Sequence, residues 1–115
     1  MGDIVLNNGV KIPSLGFGTA AIGEWQQDDD AVVSVIQSEI ESGYRYIDGS
    51  AVSGNEISIG RAIKKSKINR DELFVVTKVW NGDQGYDATL RAFEQSRLNL
   101  GLDVIDLYLI HWPIE

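Results

Sequence analysis

The chain has 115 residues, 43% of them apolar and 23% charged, an ordinary globular composition that excludes a disordered or fibrous class. Seventeen acids against ten bases give a net charge of −7, which argues against a nucleic-acid or anionic-membrane partner. Cysteine is absent, so there is no disulfide framework, thiolate nucleophile or cysteine metal site, and a reducing cytoplasm is the expected compartment. The opening MGDIVLNNGV has neither the basic start nor the apolar centre of a signal peptide, and Leu6 breaks the myristoylation pattern. No apolar run approaches the ~18 residues of a membrane span. The length allows a modest core but falls well short of the roughly 200 residues or more that a closed eight-stranded α/β barrel takes.

In chain order, IVLNNGVKI alternates around Asn8-Gly9, a dipeptide suited to a type I′ turn, so Ile4 to Ile12 is predicted to be a β-hairpin. After Pro13, LGFGTA is a short strand. Acids at Asp28 to Asp30 then open a helix in which Val32, Ile36 and Ile40 recur every fourth residue before Gly43. YRYID (44–48) is a strand, Asn55 to about Lys67 a helix with Ile59, Ala62 and Ile63 on one face, and LFVVTKVW (73–80) a nearly all-apolar strand. Tyr86 to Leu100 is a helix stopped by Gly101, its apolar stripe carrying Tyr86, Leu90, Phe93 and Leu100. VIDLYLIHW (104–112) is a strand ended by Pro113. Arg97 falls where that stripe calls for an aliphatic residue, so it is expected to snorkel outward while Leu98 takes the packed place. Strand and helix alternate, which predicts parallel strands: four strands and three helices in a βαβαβαβ sheet with no linker dividing it.

In this register Asp48, Lys78 and His111 each stand at the C-terminal end of an apolar strand, on the same faces as Tyr46, Val76 and Leu109. That edge of a parallel α/β sheet carries the chemistry, because the loops there vary while the strands hold side chains rigidly. Taken singly, each has a plain structural reading. Asp48 suits a turn, His111 a satisfied core position, and Lys78 a side chain lying outward along Trp80. Taken together they suggest a site, since lysine is rarely buried without a partner and Asp48 is the obvious one. A lysine beside a hydroxyl stabilises its oxyanion, an acid keeps the lysine charged, and a histidine can orient a carbonyl. The piece such a site lacks is a hydroxyl acid.

The segments LGFGT, GYRYIDGSAVSGNEISIGRAI, ELFVVTKVWN, DQGYDATLRAFEQS and LGLDVIDLYLIHWP resemble the aldo-keto reductases along essentially the whole chain. The likeness is greatest to the short-loop diketogluconate reductase and prostaglandin F synthase types. It implies an α/β fold, the N-terminal half of a (β/α)8 TIM barrel preceded by a hairpin, with residues 1–115 forming one partial domain. It also implies NADPH, with NADH possible, and reduction of small aldehydes and ketones. The family's Asp, Tyr, Lys and His tetrad falls on Asp48, Ser53, Lys78 and His111. Ser53 thus stands where a tyrosine is expected, and activity should be impaired. By the same resemblance Gly18, Thr19 and Ala20, with Asp48, line the nicotinamide site, and Trp80 and Trp112 wall the substrate pocket. Gly49, at a place where relatives carry threonine or another small residue, is expected to loosen its loop. Asn55 and Glu56 match the family pattern as structural supports.

Each of these has a rival. Ser53 can simply cap the helix near Asn55, and the tryptophans can be ordinary core. Gly16, Gly18 and Ala21 spell a G-x-G-x-x-A dinucleotide fingerprint, but the helix begins too late for it. No carboxylate or histidine cluster has metal-ligand spacing. A half barrel leaves its first and last strands as open edges, so a homo-oligomer or a complementary half-barrel chain is expected. A non-catalytic binding or assembly module is the alternative function.

Overall fold

The computed structural model describes residues 2–19 and 29–113. A hairpin of β1 (Asp3–Val5) and β2 (Lys11–Pro13) precedes β3 (Gly16–Gly18), α1 (Asp29–Glu41), β4 (Tyr46–Asp48), α2 (Glu56–Ser66), β5 (Phe74–Val79), α3 (Tyr86–Leu100) and β6 (Leu107–Ile110). Short 3₁₀ turns at Arg70–Glu72 and Asn81–Asp83 flank β5. Strands β3, β4, β5 and β6 pair in sequence order, all parallel, as the alternation of elements requires.

The hairpin turn is not type I′. Gly9 has a φ of 86°, while Asn8 stays at negative φ, and the Gly9 amide donates to the Leu6 carbonyl at 2.9 Å. The loop is therefore three residues, a turn followed by a left-handed glycine, which also closes a hairpin with matching twist. Strands are shorter than the apolar runs: β4 starts at Tyr46 rather than Tyr44, and β6 spans Leu107–Ile110 rather than residues 104–112. Arg70 explains the late start of β6. It donates to Asp106 at 2.6 Å and to the Val104 carbonyl at 2.9 Å, while the same Asp106 oxygen accepts from the Val75 amide at 2.8 Å.

Strand alternation divides the sheet. Ile47 and Val75 face the helices and, with Val33, Ile36, Ile40, Ile59, Ala62 and Leu100, form the main core. Helices α2 and α3 meet closely at Gly60, where a Cβ would lie 2.2 Å from the Leu100 carbonyl oxygen. On the opposite face Tyr46 lies over Gly16 and stacks on Phe74, with ring centroids 5.5 Å apart. This aromatic layer forms a floor one step below Asp48.

The α3 stripe is corrected. Tyr86 is 85% exposed and Leu90 56%, whereas Ser96 and Leu100 are buried. Leu98 does not take a packed place: it is 60% exposed, and Arg97 instead donates to the Leu102 carbonyl at 3.1 Å. The stripe packs only at its C-terminal end, where Phe93 meets Tyr108 edge-on and Ser96 and Leu100 are buried, while Tyr86 and Leu90 near the helix start stay exposed. Among the described residues, strands β3 and β6 are paired on one side only. No described helix is long and apolar enough to cross a membrane.

Candidate active site at the carboxyl edge of the sheet

Register sets the relative heights of the three polar residues. Asp48 is opposite Val76, and Lys78 is opposite Leu109. Lys78 therefore lies two residues beyond the level of Asp48, and His111 two beyond the level of Lys78, all on the face that carries Tyr46 and Phe74. The side chains climb one step per strand across β4, β5 and β6. Lysine spans such a step: Nζ donates to Asp48 Oδ1 at 2.7 Å and to the Gly49 carbonyl at 2.9 Å. The outward path along Trp80 is not taken. The pair is partly shielded, with 17% of the Lys78 side chain and 32% of the Asp48 side chain exposed.

The loop after β4 is firm rather than loose. Its Gly49 amide donates to the Val76 carbonyl at 2.8 Å and its Ala51 amide to the Lys78 carbonyl at 3.3 Å, so the chain continues along β5. Gly49 leaves room for Ile59: a Cβ there would lie 2.7 Å from Ile59 Cδ1, so a larger residue needs that methyl to turn aside. Ser53 is buried, and its Oγ lies 2.6 Å from Ser50 Oγ. It does not cap α2. The N-cap position is Asn55, which makes no side-chain cap bond and instead donates from Nδ2 to the Thr19 carbonyl at 2.7 Å.

Thr19 is fully buried and locked: its amide and hydroxyl donate to the Asp48 carbonyl at 3.0 and 2.8 Å. It holds the end of β4 and presents no open surface. Gly18 leaves room beside the carboxylate, since a Cβ there would find only Asp48 Oδ2, at 4.0 Å. Ala20 and Ala21 lie outside the described residues. His111 follows β6 directly, its amide donating to the Val79 carbonyl at 3.3 Å. Its ring meets Trp80 edge-on at 5.8 Å and lies stacked against Trp112 at 6.3 Å, so both tryptophans flank the imidazole and Trp112 is exposed. Buried His111 Nδ1 has no hydrogen-bond partner. Among the described residues no hydrogen bond joins the imidazole to Asp48, Lys78 or Ser53.

The electrostatics are set by burial. Tyr46, one step below the pair, has its phenol pushed above the ordinary value by burial and further by the Asp48 carboxylate. On the helix side, burial pushes Tyr108 up to about 12, with the Glu56 and Asp83 carboxylates adding to it. Glu56 itself is buried, accepting from Thr77 Oγ1 at 2.7 Å and from Asn99 at 3.3 Å, which ties α2 and α3 to β5 one residue before Lys78. Glu56 and Asn55 thus act as supports. A hollow of about 530 Å³ opens at the other end of the strands, between the hairpin and the start of β5, and contains none of these residues.

A family model described as the aldo/keto reductase family matches residues 14–115. The chain belongs to the aldo/keto reductase family. It is 48% identical over 111 residues to a 9,11-endoperoxide prostaglandin H2 reductase of Trypanosoma cruzi, covering 96% of this chain and 38% of that protein. It is 47% identical to a glyoxal reductase of Bacillus subtilis, with the same coverage. Among solved structures, an aldo/keto reductase from Brucella melitensis superimposes with a TM-score of 0.89 at 46% identity, over 99% of this chain and 43% of that one. The aldo-keto reductase of Bombyx mori solved in complex with NADP gives 0.89 at 39% identity, over 98% of this chain and 38% of that one. The chain thus spans about 38% of the length of these curated relatives. As an aldo/keto reductase segment, its four parallel strands and three helices are the N-terminal half of the family's barrel.

Two participants in the site escape a reading of the sequence. The Gly49 carbonyl acts through its backbone, which no residue type announces. Ser50 reveals itself only once the turn brings it against Ser53 three residues later, a spacing that many helical and turn serines share.

Proposed function

We propose that this chain is the N-terminal part of a reductase that converts small aldehydes and ketones to alcohols with NADPH, NADH being the alternative donor. The observation that carries the reading is the Asp48–Lys78 ion pair on the sheet face and at the strand ends where His111 also stands. The residues present suit the nicotinamide end of such a cofactor. His111 stands at the end of the strand neighbouring that of Lys78, on the same face, and Gly18 leaves space beside Asp48. Gly18 and Asp48 would hold that end, with Thr19 fixing the Asp48 backbone from behind and Trp80 and Trp112 walling the carbonyl substrate. When bound, the dinucleotide supplies the hydride.

The protein's own residues then manage charge. Asp48 pairs with Lys78, and Lys78 places positive charge where the carbonyl oxygen becomes anionic. His111, in contact with both indoles, would orient that oxygen. Ser53 cannot serve as the family's tyrosine does. Its hydroxyl is a whole ring shorter, is a much weaker acid, and is engaged with Ser50. Losing a general acid typically costs ~10² to ~10⁴ in rate, so activity is expected to be impaired.

That same serine pair favours a second reading, a non-catalytic aldo/keto-reductase-like module retained for binding or assembly. The absorbance of NADPH in the presence of a reactive aldehyde separates the two. A fall supports the enzyme; dinucleotide binding without any fall supports the module. In a full-length barrel carrying this segment, Ser53→Tyr is expected to raise turnover, and no increase counts against the tetrad assignment. The open β3 and β6 edges support pairing with a second copy or with a complementary half barrel, and the cysteine-free composition supports a cytoplasmic setting.

A further inference from the structure

An ammonium group has three N–H donors, and at Lys78 two of them are committed: one to Asp48 Oδ1 at 2.7 Å, one to the Gly49 carbonyl at 2.9 Å. Among the described residues the third has no acceptor. Both acceptors belong to β4 and the residue after it, and the Tyr46–Phe74 layer closes the face beneath. Of the lysine side chain 17% remains exposed. The hydroxyl at position 53 does not intervene, because it is buried against Ser50.

We infer that in this protein Lys78 is itself the proton donor to the reduced carbonyl, acting on the substrate directly rather than through a neighbouring hydroxyl. The inference rests on the proposed reductase reading. The chemistry is feasible because an alkylammonium, with an ordinary value of roughly 10.4, is about as strong an acid as a phenol at roughly 10. The substrate's alkoxide is far more basic than either. In the step, the carbonyl carbon gains an electron pair with hydride from the reduced nicotinamide. The carbonyl π bond becomes an oxygen lone pair, and that oxygen takes a proton from Nζ. The products are the alcohol, the oxidised nicotinamide and a neutral Lys78 amine, which regains its proton from water while hydrogen-bonded to Asp48, the hydroxide left being neutralised by solvent, so that each turnover takes up one solvent proton. Nothing else is consumed.

Two measurements test this. In cofactor-free protein, formaldehyde with cyanoborohydride methylates amines whose N–H groups reach solvent, and peptide mass spectrometry locates the products. Lys78 is expected to be methylated, more slowly than the exposed Lys64 and Lys65. A Lys78 left unmodified when those two are complete overturns the inference. In the full-length barrel, Lys78→Arg keeps a cation facing Asp48 but one that does not release its proton at working pH. Turnover is expected to fall by ~10² or more, with dinucleotide affinity, read by tryptophan fluorescence, changed less than about threefold. Turnover within a few-fold of the parent, with binding intact, overturns the inference, as does a parent that binds NADPH and never turns over. The latter leaves the cofactor site standing; a parent that binds no dinucleotide fails the reductase reading itself.

Discussion

Asp48→Asn removes the charge that faces Lys78 while leaving the lysine partly shielded from water. Breaking a fully buried pair costs about 3–5 kcal/mol, and the remaining exposure here reduces the expectation to about 1–2 kcal/mol, read as a lower urea midpoint at unchanged slope. A midpoint that does not move would mean that the pair is solvated. This partnership was legible before any coordinates, because strand period alone places Asp48 and Lys78 on one face and an unpaired lysine there is costly. Ser53 was half legible. The sequence shows a short hydroxyl where a phenol is expected, but its engagement with Ser50 depends on the turn conformation, for which neither residue type is diagnostic. Gly49 misled because a glycine reads as freedom, whereas here it yields space to Ile59 and bonds through both its amide and its carbonyl.

Elements were read well where periodicity was strong and poorly where it competed with context. Helix α3 has the bounds that its period and Gly101 predict, yet the start of its apolar stripe, Tyr86 and Leu90, is exposed, since a stripe names residues able to be covered without showing what covers them. Gly60 marks the α2–α3 crossing. At an exposed helix position Gly→Ala stabilises by up to ~1 kcal/mol, but with a Cβ only 2.2 Å from the Leu100 oxygen, Gly60→Ala is expected to destabilise by about 1–3 kcal/mol. A raised melting temperature would contradict that packing. Between α3 and β6, Tyr108 is held neutral, its phenol raised from 10.0 to about 12. A raised folded-state value contributes stability below pH 10 that is lost as pH climbs toward about 12. Tyr108→Phe is expected to flatten that alkaline decline in denaturation midpoint. It should do so at little cost near neutrality, because the buried hydroxyl has no partner to lose.

For the molecule as a whole, the strand and helix alternation predicts a parallel sheet in sequence order, and the family likeness identifies that sheet as half of a barrel. The open β3 and β6 edges lead us to expect a dimer or larger species in size-exclusion chromatography with light scattering; a well-behaved monomer would argue against edge pairing. Above all, we propose that the strand ends at Asp48, Lys78 and His111 form a nicotinamide rim walled by Trp80 and Trp112. NADPH titration followed by tryptophan emission tests that most directly. Saturable quenching that Trp80→Phe diminishes is the expected result, and emission unchanged by NADPH, in a full-length barrel that carries this segment, would contradict it.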